Sequence, residues 1–178
     1  MLSRENAVVV LVDLQEKLAR AMHEPDRVAR ECARLLAGAR ALKLPVLCTE
    51  QNPLGLGRTL PEAAALLDAP PIPKRSFSCL GEAAFRDALA KCGRRQVLLA
   101  GIEAHVCVYQ TAADLLAAGW EVHAVCDAVS SRTSENRQVG LAKMQAAGAH
   151  LTSVETALFE LLRVAEGPEF KEILRIVK

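Results

Sequence analysis

"AVVVLVDL", residues 7–14, decides the architecture. A strand with one wet face alternates apolar and polar residues. An unbroken β-branched run ending in an aspartate belongs to a strand covered on both faces, the pattern of a parallel sheet between helices. The flanking pattern agrees. "DRVARECARLLAGARAL" (26–42) carries Val28, Cys32, Leu35, Leu36 and Leu42 near helical spacing with basic residues between, so it reads as an amphipathic helix. "LPVLCTE" (44–50) is a second strand. Residues 51–80 open with Pro53, Gly55 and Gly57, pass through a short helix near 62–68 and end rich in proline, as a binding loop or lid does.

The alternation then resumes. A helix over 82–92 closes at Gly93, "QVLLAG" (96–101) is a strand, and a helix over 105–118 stops at Gly119. "WEVHAVCD" (120–127) is a strand, followed by a helix with Ser134 as its N-cap, the short strand "AHLTS" (149–153), and helices over 155–164 and 168–177. Strands separated by helices mean βαβ units. The expected fold is α/β: a single-domain (1–178) doubly wound, mostly parallel β-sheet with helices on both faces.

Composition narrows the function. Hydrophobic residues make up 51% and aromatics 3%, so the core is Leu, Val and Ala. The net charge is +1, from 22 basic and 21 acidic residues interspersed along the chain. That gives no electrostatic footprint for nucleic acid or for an anionic membrane. No stretch approaches the ~18 apolar residues of a membrane span, and the apolar run at 7–12 is too short and too soon charged for a secretory signal. The chain reads as a cytoplasmic protein. Its six cysteines form no CxxC pair and no finger spacing with the histidines, so free thiols are expected and no metal site.

In a doubly wound sheet ligands bind beyond the carboxyl ends of the strands. Asp13 ends the first strand, Glu50 and Gln51 the second, and Asp127 the strand that starts at Trp120. "GIEAHVCVYQ" (101–110) follows the strand at Gln96 and puts Cys107 on the first turn of a helix. Backbone N–H groups and the helix dipole favour a thiolate there. Each residue also has a plain structural reading: Cys107 as a small buried hydrophobe, Asp13 as a helix N-cap, Lys74 in "PIPKRSFS" as a solvated loop lysine. The residues alone do not say that the three meet.

Taken together, "VVLVDLQEKL", "KRSFS" and "GIEAHVCVYQTAADLLAAGWEVHAVCDAVSSRT" resemble the isochorismatase-like cysteine hydrolase superfamily over residues 6–160. "TEQNPLGLGRT" and "TSVETALFELL" are similar to its isochorismatase-domain-containing branch. The resemblance implies a three-layer α/β/α fold and an Asp–Lys–Cys triad, carried here by Asp13, Lys74 and Cys107. It also implies a non-proline cis peptide at Ile102–Glu103 and an oxyanion hole from the backbone N–H groups of Glu103 and Cys107. A thiolate favoured by Lys74 and the helix N-terminus would attack an amide-type carbonyl, with Asp13 moving the protons.

Departures from the family pattern refine this. Nicotinamidases have an Asp-x-His metal motif after the second strand. Here the position reads Glu50, Gln51, Asn52, so neither a metal nor any other cofactor is expected. Isochorismatases proper lack the cysteine, so Cys107 points to C–N hydrolysis of a small molecule. Gln51 and Tyr109 are weaker candidates for substrate contact, and Gln15 and Asp127 for a supporting shell. His105 stands two residues from Cys107 on a helix and does not share its face. A homo-oligomer is expected, as in other family members. Two other readings stand beside the hydrolase: an idle scaffold, and a thiol redox sensor with Cys126 as resolving partner.

Overall fold

The computed structural model describes residues Met1–Lys178. Six strands, β1 (Ala7–Val12), β2 (Val46–Gln51), β3 (Ile72–Lys74), β4 (Gln96–Ile102), β5 (Glu121–Ser130) and β6 (His150–Thr152), form one sheet in the order β3-β2-β1-β4-β5-β6. Every neighbouring pair is parallel. The helices are α1 (Glu16–Ala19), α2 (Pro25–Ala41), α3 (Pro53–Leu56), α4 (Pro61–Ala64), α5 (Ala83–Lys91), α6 (Tyr109–Ala117), α7 (Ser134–Ala146), α8 (Val154–Leu162) and α9 (Gly167–Val177). The chain winds outward from β1 to β3, returns to lay β4 beside β1, and winds the other way to β6.

The apolar run that opened the reading explains the three layers. All six residues of β1 are buried. Ala7, Val9 and Leu11 pack on one face with α2 (Val28, Cys32, Leu35, Leu36), α8 (Ala157, Leu158, Leu161) and Ile173 of α9. Val8, Val10 and Val12 pack on the other with α5 (Phe85, Leu89), α6 (Ala112, Leu115) and Met144 of α7. Each buried valine or leucine is worth about 1.5–3 kcal/mol relative to exposure. The doubly wound α/β expectation therefore holds. No helix is long and apolar enough to cross a membrane.

Three local expectations are corrected. The proline-rich segment hides β3, which pairs Thr49 with Ile72 and Gln51 with Lys74. Pro73 is tolerated because the strand lies at the sheet edge, where one side of the ladder is open. The N-cap of α7 is Thr133, whose hydroxyl accepts from Asn136 N–H at 3.2 Å, and Ser134 is the first helical residue. Asp127 does not end β5, which runs on to Ser130. Leu99 pairs with Ala124 and Gly101 with Val129, two steps on β4 against five on β5, so β5 bulges there and Asp127 sits in the bulge.

Candidate active site

Four adjacent strands end side by side: β3 at Lys74, β2 at Gln51, β1 just before Asp13, and β4 at Ile102. The winding reverses between β1 and β4, so the crevice at their carboxyl ends is the topological switch point, where this fold class binds ligands. Asp13 adopts φ 50, a left-handed conformation that aspartate is among the few side-chain-bearing residues to tolerate. Lys74 and Asp13 belong to strands separated by β2, two spacings or about 9.5 Å apart. Only a side chain of lysine or arginine length crosses that gap, and it does so alongside its register partner Gln51.

Lys74 Nζ lies 2.7 Å from Asp13 Oδ2, and neither side chain has any solvent exposure. The ammonium donates to Gln51 Oε1 at 2.6 Å and to the carbonyls of Ser76 and Phe77, each at 3.0 Å. These contacts use the ammonium's protons, so its 2.7 Å approach to Asp13 Oδ2 is made chiefly as an ion pair. Oδ1 accepts from the Thr49 hydroxyl at 2.7 Å, and Asp13 N–H donates to Thr49 O at 3.2 Å. Burial raises the Asp13 carboxyl above its ordinary range, opposed by Lys74 and then by the Thr49 and Cys107 hydrogen bonds. Cys107 retains 7% exposure, against 2% for Lys74 and none for Asp13.

The state of that sulfur departs from expectation. Burial first, then the negative charge of Asp13, pushes the Cys107 thiol up to about 12, and Lys74 offsets only part of this. The favoured thiolate is therefore corrected to a resting thiol facing a carboxylate. The surroundings differ as well. Cys107 belongs to a π-helical turn, Ala104–Val108, and α6 proper begins at Tyr109. Such turns recur at functional sites because they re-aim one side chain within a helix.

Two glycines seat this turn. Gly101 has φ 111, and a Cβ there would lie 2.0 Å from Val12 O, so only glycine lets β4 close on β1 beside Asp13. Gly140 of α7 meets the backbone of Ala104, where a Cβ would fall 2.6 Å from both its C and O. Between them the Ile102–Glu103 peptide is cis. The Glu103 carbonyl accepts from Val106 and Val108 N–H, and its carboxylate pairs with Arg132 Nε at 2.9 Å. His105 Nδ1 bonds Ser131 Oγ at 3.0 Å, which occupies it outside the cluster.

The Isochorismatase domain family profile matches residues 7–156. The chain belongs to the isochorismatase family. Isochorismatase domain-containing protein 2A of Mus musculus is 41% identical over 174 residues, 98% of this chain and 84% of that protein. Among solved structures, one described as MAR1 ribonuclease from Caenorhabditis elegans is 38% identical at a TM-score of 0.93, covering 99% of this chain and 91% of that one. The YcaC gene product of Escherichia coli, described as an octameric hydrolase of unknown specificity, is 27% identical at a TM-score of 0.93, covering 98% and 88%.

Within this family member the other expected residues divide. Gln51 holds Lys74 through Oε1 and returns Nε2 to Arg75 O at 2.9 Å, so both ends of its amide are engaged. Fully buried Gln15 donates to Gln51 O and Gly57 O and accepts from Gln51 N–H, tying the 52–60 loop to the end of β2. Glu50, at the start of the metal-motif position, accepts from Thr59 N–H and hydroxyl and pairs with Arg58. Tyr109 packs its ring under Lys143 Nζ, 4.5 Å away on α7. Asp127 is corrected: its Oδ1 accepts from Val154 N–H at the start of α8, which packs on the sheet face opposite Cys107. The sequence reading passed over Thr49, a polar residue inside an otherwise apolar strand beside a strand-end aspartate. That placement was the available signal.

Proposed function

We propose that this isochorismatase-family hydrolase cleaves a small amide-type C–N bond through a thioester on Cys107, with Asp13 as the proton carrier and Lys74 as a fixed cation. The observation that carries the reading is the buried 2.7 Å Lys74–Asp13 contact beside Cys107 at the switch point. Burying an ion pair costs several kcal/mol per ion before any return, and an idle scaffold has no use for one. A redox sensor has no need of an acid–base aspartate and a buried lysine beside its cysteine.

The steps balance as follows. Asp13, whose carboxyl faces the thiol, takes the Cys107 proton as Sγ bonds to the carbonyl carbon. The backbone N–H groups of Glu103 and Cys107 receive the oxyanion, at about 2.7–4 kcal/mol per donor in other enzymes. Asp13 returns the proton to the leaving nitrogen as the C–N bond breaks. It then draws a proton from water, which attacks the thioester, and the acid leaves with the thiol restored. These steps call on no metal or cofactor. We read the protein as a cytoplasmic homo-oligomer acting on a small molecule, neither nucleic acid nor membrane.

The test is a screen of primary amides, ureides and carbamates with wild type, Cys107→Ala and Asp13→Asn, with intact mass to trap an acyl adduct. Single-stranded RNA is a control arm, because the C. elegans relative is described as a ribonuclease. Turnover of one amide class, lost in both variants, with an adduct on Cys107, supports the reading. Turnover that survives Cys107→Ala, or cleavage of RNA alone, overturns it.

A further inference from the structure

Lys74 owes its position to a loop, and the loop has a clamp of its own. Glu82 stands at the N-cap position of α5, yet its side chain caps nothing there. It turns back instead, and the single oxygen Oε1 accepts from Arg75 N–H at 2.8 Å, Ser76 N–H at 3.1 Å and Ser76 Oγ at 2.8 Å. Those two residues directly follow Lys74. The Ser76 and Phe77 carbonyls, at the far end of the same turn, are the ones that accept from Lys74 Nζ. Gly81 leaves room for this closure, since a Cβ there would lie 2.4 Å from Ser76 Oγ.

We infer that Glu82 is a positioning residue for the catalytic lysine. It fixes residues 75–77 so that two carbonyls, with Gln51, hold the ammonium against Asp13. The inference rests on the Asp13–Lys74–Cys107 reading above and adds a residue to it. The hydrogen bonds from Arg75, then from Ser76, hold the Glu82 carboxyl down to about 2, so the clamp stays ionised throughout the neutral range. A carboxylate accepting three hydrogen bonds is charge-assisted in each of them. Lys74 makes no hydrogen bond to Glu82, so the positioning passes through the loop backbone, with a smaller direct attraction between the two charges.

The readout needs no substrate. Lys74 lowers the Cys107 thiol's proton affinity, so displacing the ammonium slows alkylation of that thiol. Cys107 alkylation by iodoacetamide is followed by intact mass at pH 9 in wild type, Lys74→Met, Glu82→Ala, Glu82→Gln and Ser76→Ala, with melting temperatures alongside. Lys74→Met slows the reaction most. Glu82→Ala slows it about tenfold, Ser76→Ala less, and Glu82→Gln, which keeps an acceptor oxygen, recovers most of the rate. A purely structural role at the start of α5 would lower the melting temperature and leave alkylation alone, and that result overturns the inference. If Lys74→Met changes nothing, the triad reading itself falls. If Lys74→Met slows alkylation and neither Glu82→Ala nor Ser76→Ala does, only the clamp falls. Should Glu82→Ala not fold, Ser76→Ala decides, and a wild-type rate in it refutes the inference.

Discussion

Asp13→Asn separates two properties that ordinarily move together, the reactivity of a cysteine and the turnover it supports. The Asp13 charge is the largest cause after burial holding the Cys107 proton in place. At about 4 Å and an effective dielectric near 20, a unit charge contributes about 4 kcal/mol. At 1.36 kcal/mol per unit this is about 3 pKa units. Removing it lowers the thiol's pKa from about 12, and the thiolate fraction at pH 7.5 rises by up to about a thousandfold. A less basic thiolate is a weaker nucleophile, with a Brønsted slope of about 0.45, which returns about twentyfold. The net expectation is alkylation by iodoacetamide about 50-fold faster than wild type, while amide turnover disappears for want of a proton acceptor. Lys74 keeps its contacts with Gln51 and the two loop carbonyls. Breaking a buried pair costs about 3–5 kcal/mol, a melting-temperature drop of roughly 6–20 °C for a chain of this size, so the rates are compared at 10 °C. The assay is intact mass against time, with peptide mapping to Cys107. Alkylation equal to or slower than wild type would refute the reasoning.

Other expectations follow from the same geometry. Thr49→Val removes a hydroxyl hydrogen bond to the buried Asp13 carboxyl, worth about 1.5–3 kcal/mol to its charged form. The acid limb of the pH–rate profile, set by Asp13, should move up by about 1–2 units, and an unmoved limb counts against Thr49 as the carboxylate's partner. Gly140→Ala drives a Cβ into the Ala104 backbone. Helix propensity gains about 1 kcal/mol but the overlap costs about 1–3, and a displaced Cys107 turn should lower turnover roughly 100-fold; a fully active variant would refute that contact. Asp127→Ala removes the acceptor for Val154 N–H, so urea unfolding should show a loss of about 0.5–2 kcal/mol with turnover unchanged.

How much of this the sequence carried depends on the range of the signal. β1 declared itself because burial on both faces leaves no polar position to interrupt the run, and a mostly parallel sheet follows from the helices between the strands. Asp13 was visible as a charge closing an apolar strand. Lys74 as a buried residue was not, because β3 spans only Ile72–Lys74 and its register with β2 is a long-range fact. Asp127 misled because a bulge erases the alternation that marks a strand's end, so the aspartate inside it resembled a terminus. The ionisation state of Cys107 was the deepest miss. A position near a helix N-terminus argues for a thiolate. Desolvation and a facing carboxylate outweigh it, and both depend on contacts that no local pattern records.

The site's proton inventory turns this miss into a statement about mechanism. Lys74 has three N–H bonds and three acceptors, so it cannot release a proton without leaving one of them unpaired. The Asp13 carboxyl is the acceptor that faces Cys107, and the thiol proton is the one beside it. Moving that proton from sulfur to carboxylate keeps the cluster at zero formal charge: carboxylate, ammonium and thiol become acid, ammonium and thiolate. Ionising the thiol to solvent instead leaves a buried net negative charge, which is why that step waits until about 12. Coupled groups titrate as a pair, and the pair needs only an ionised Asp13. The carboxyl's raised pKa places the acid limb above the ordinary carboxylate range, with activity lost as pH falls through it. Above that limb kcat/KM for the substrate found in the screen should be flat across pH 7–10. A rate climbing about tenfold per pH unit through that range would mean that free thiolate, formed independently of Asp13, does the work, and the paired mechanism would be wrong.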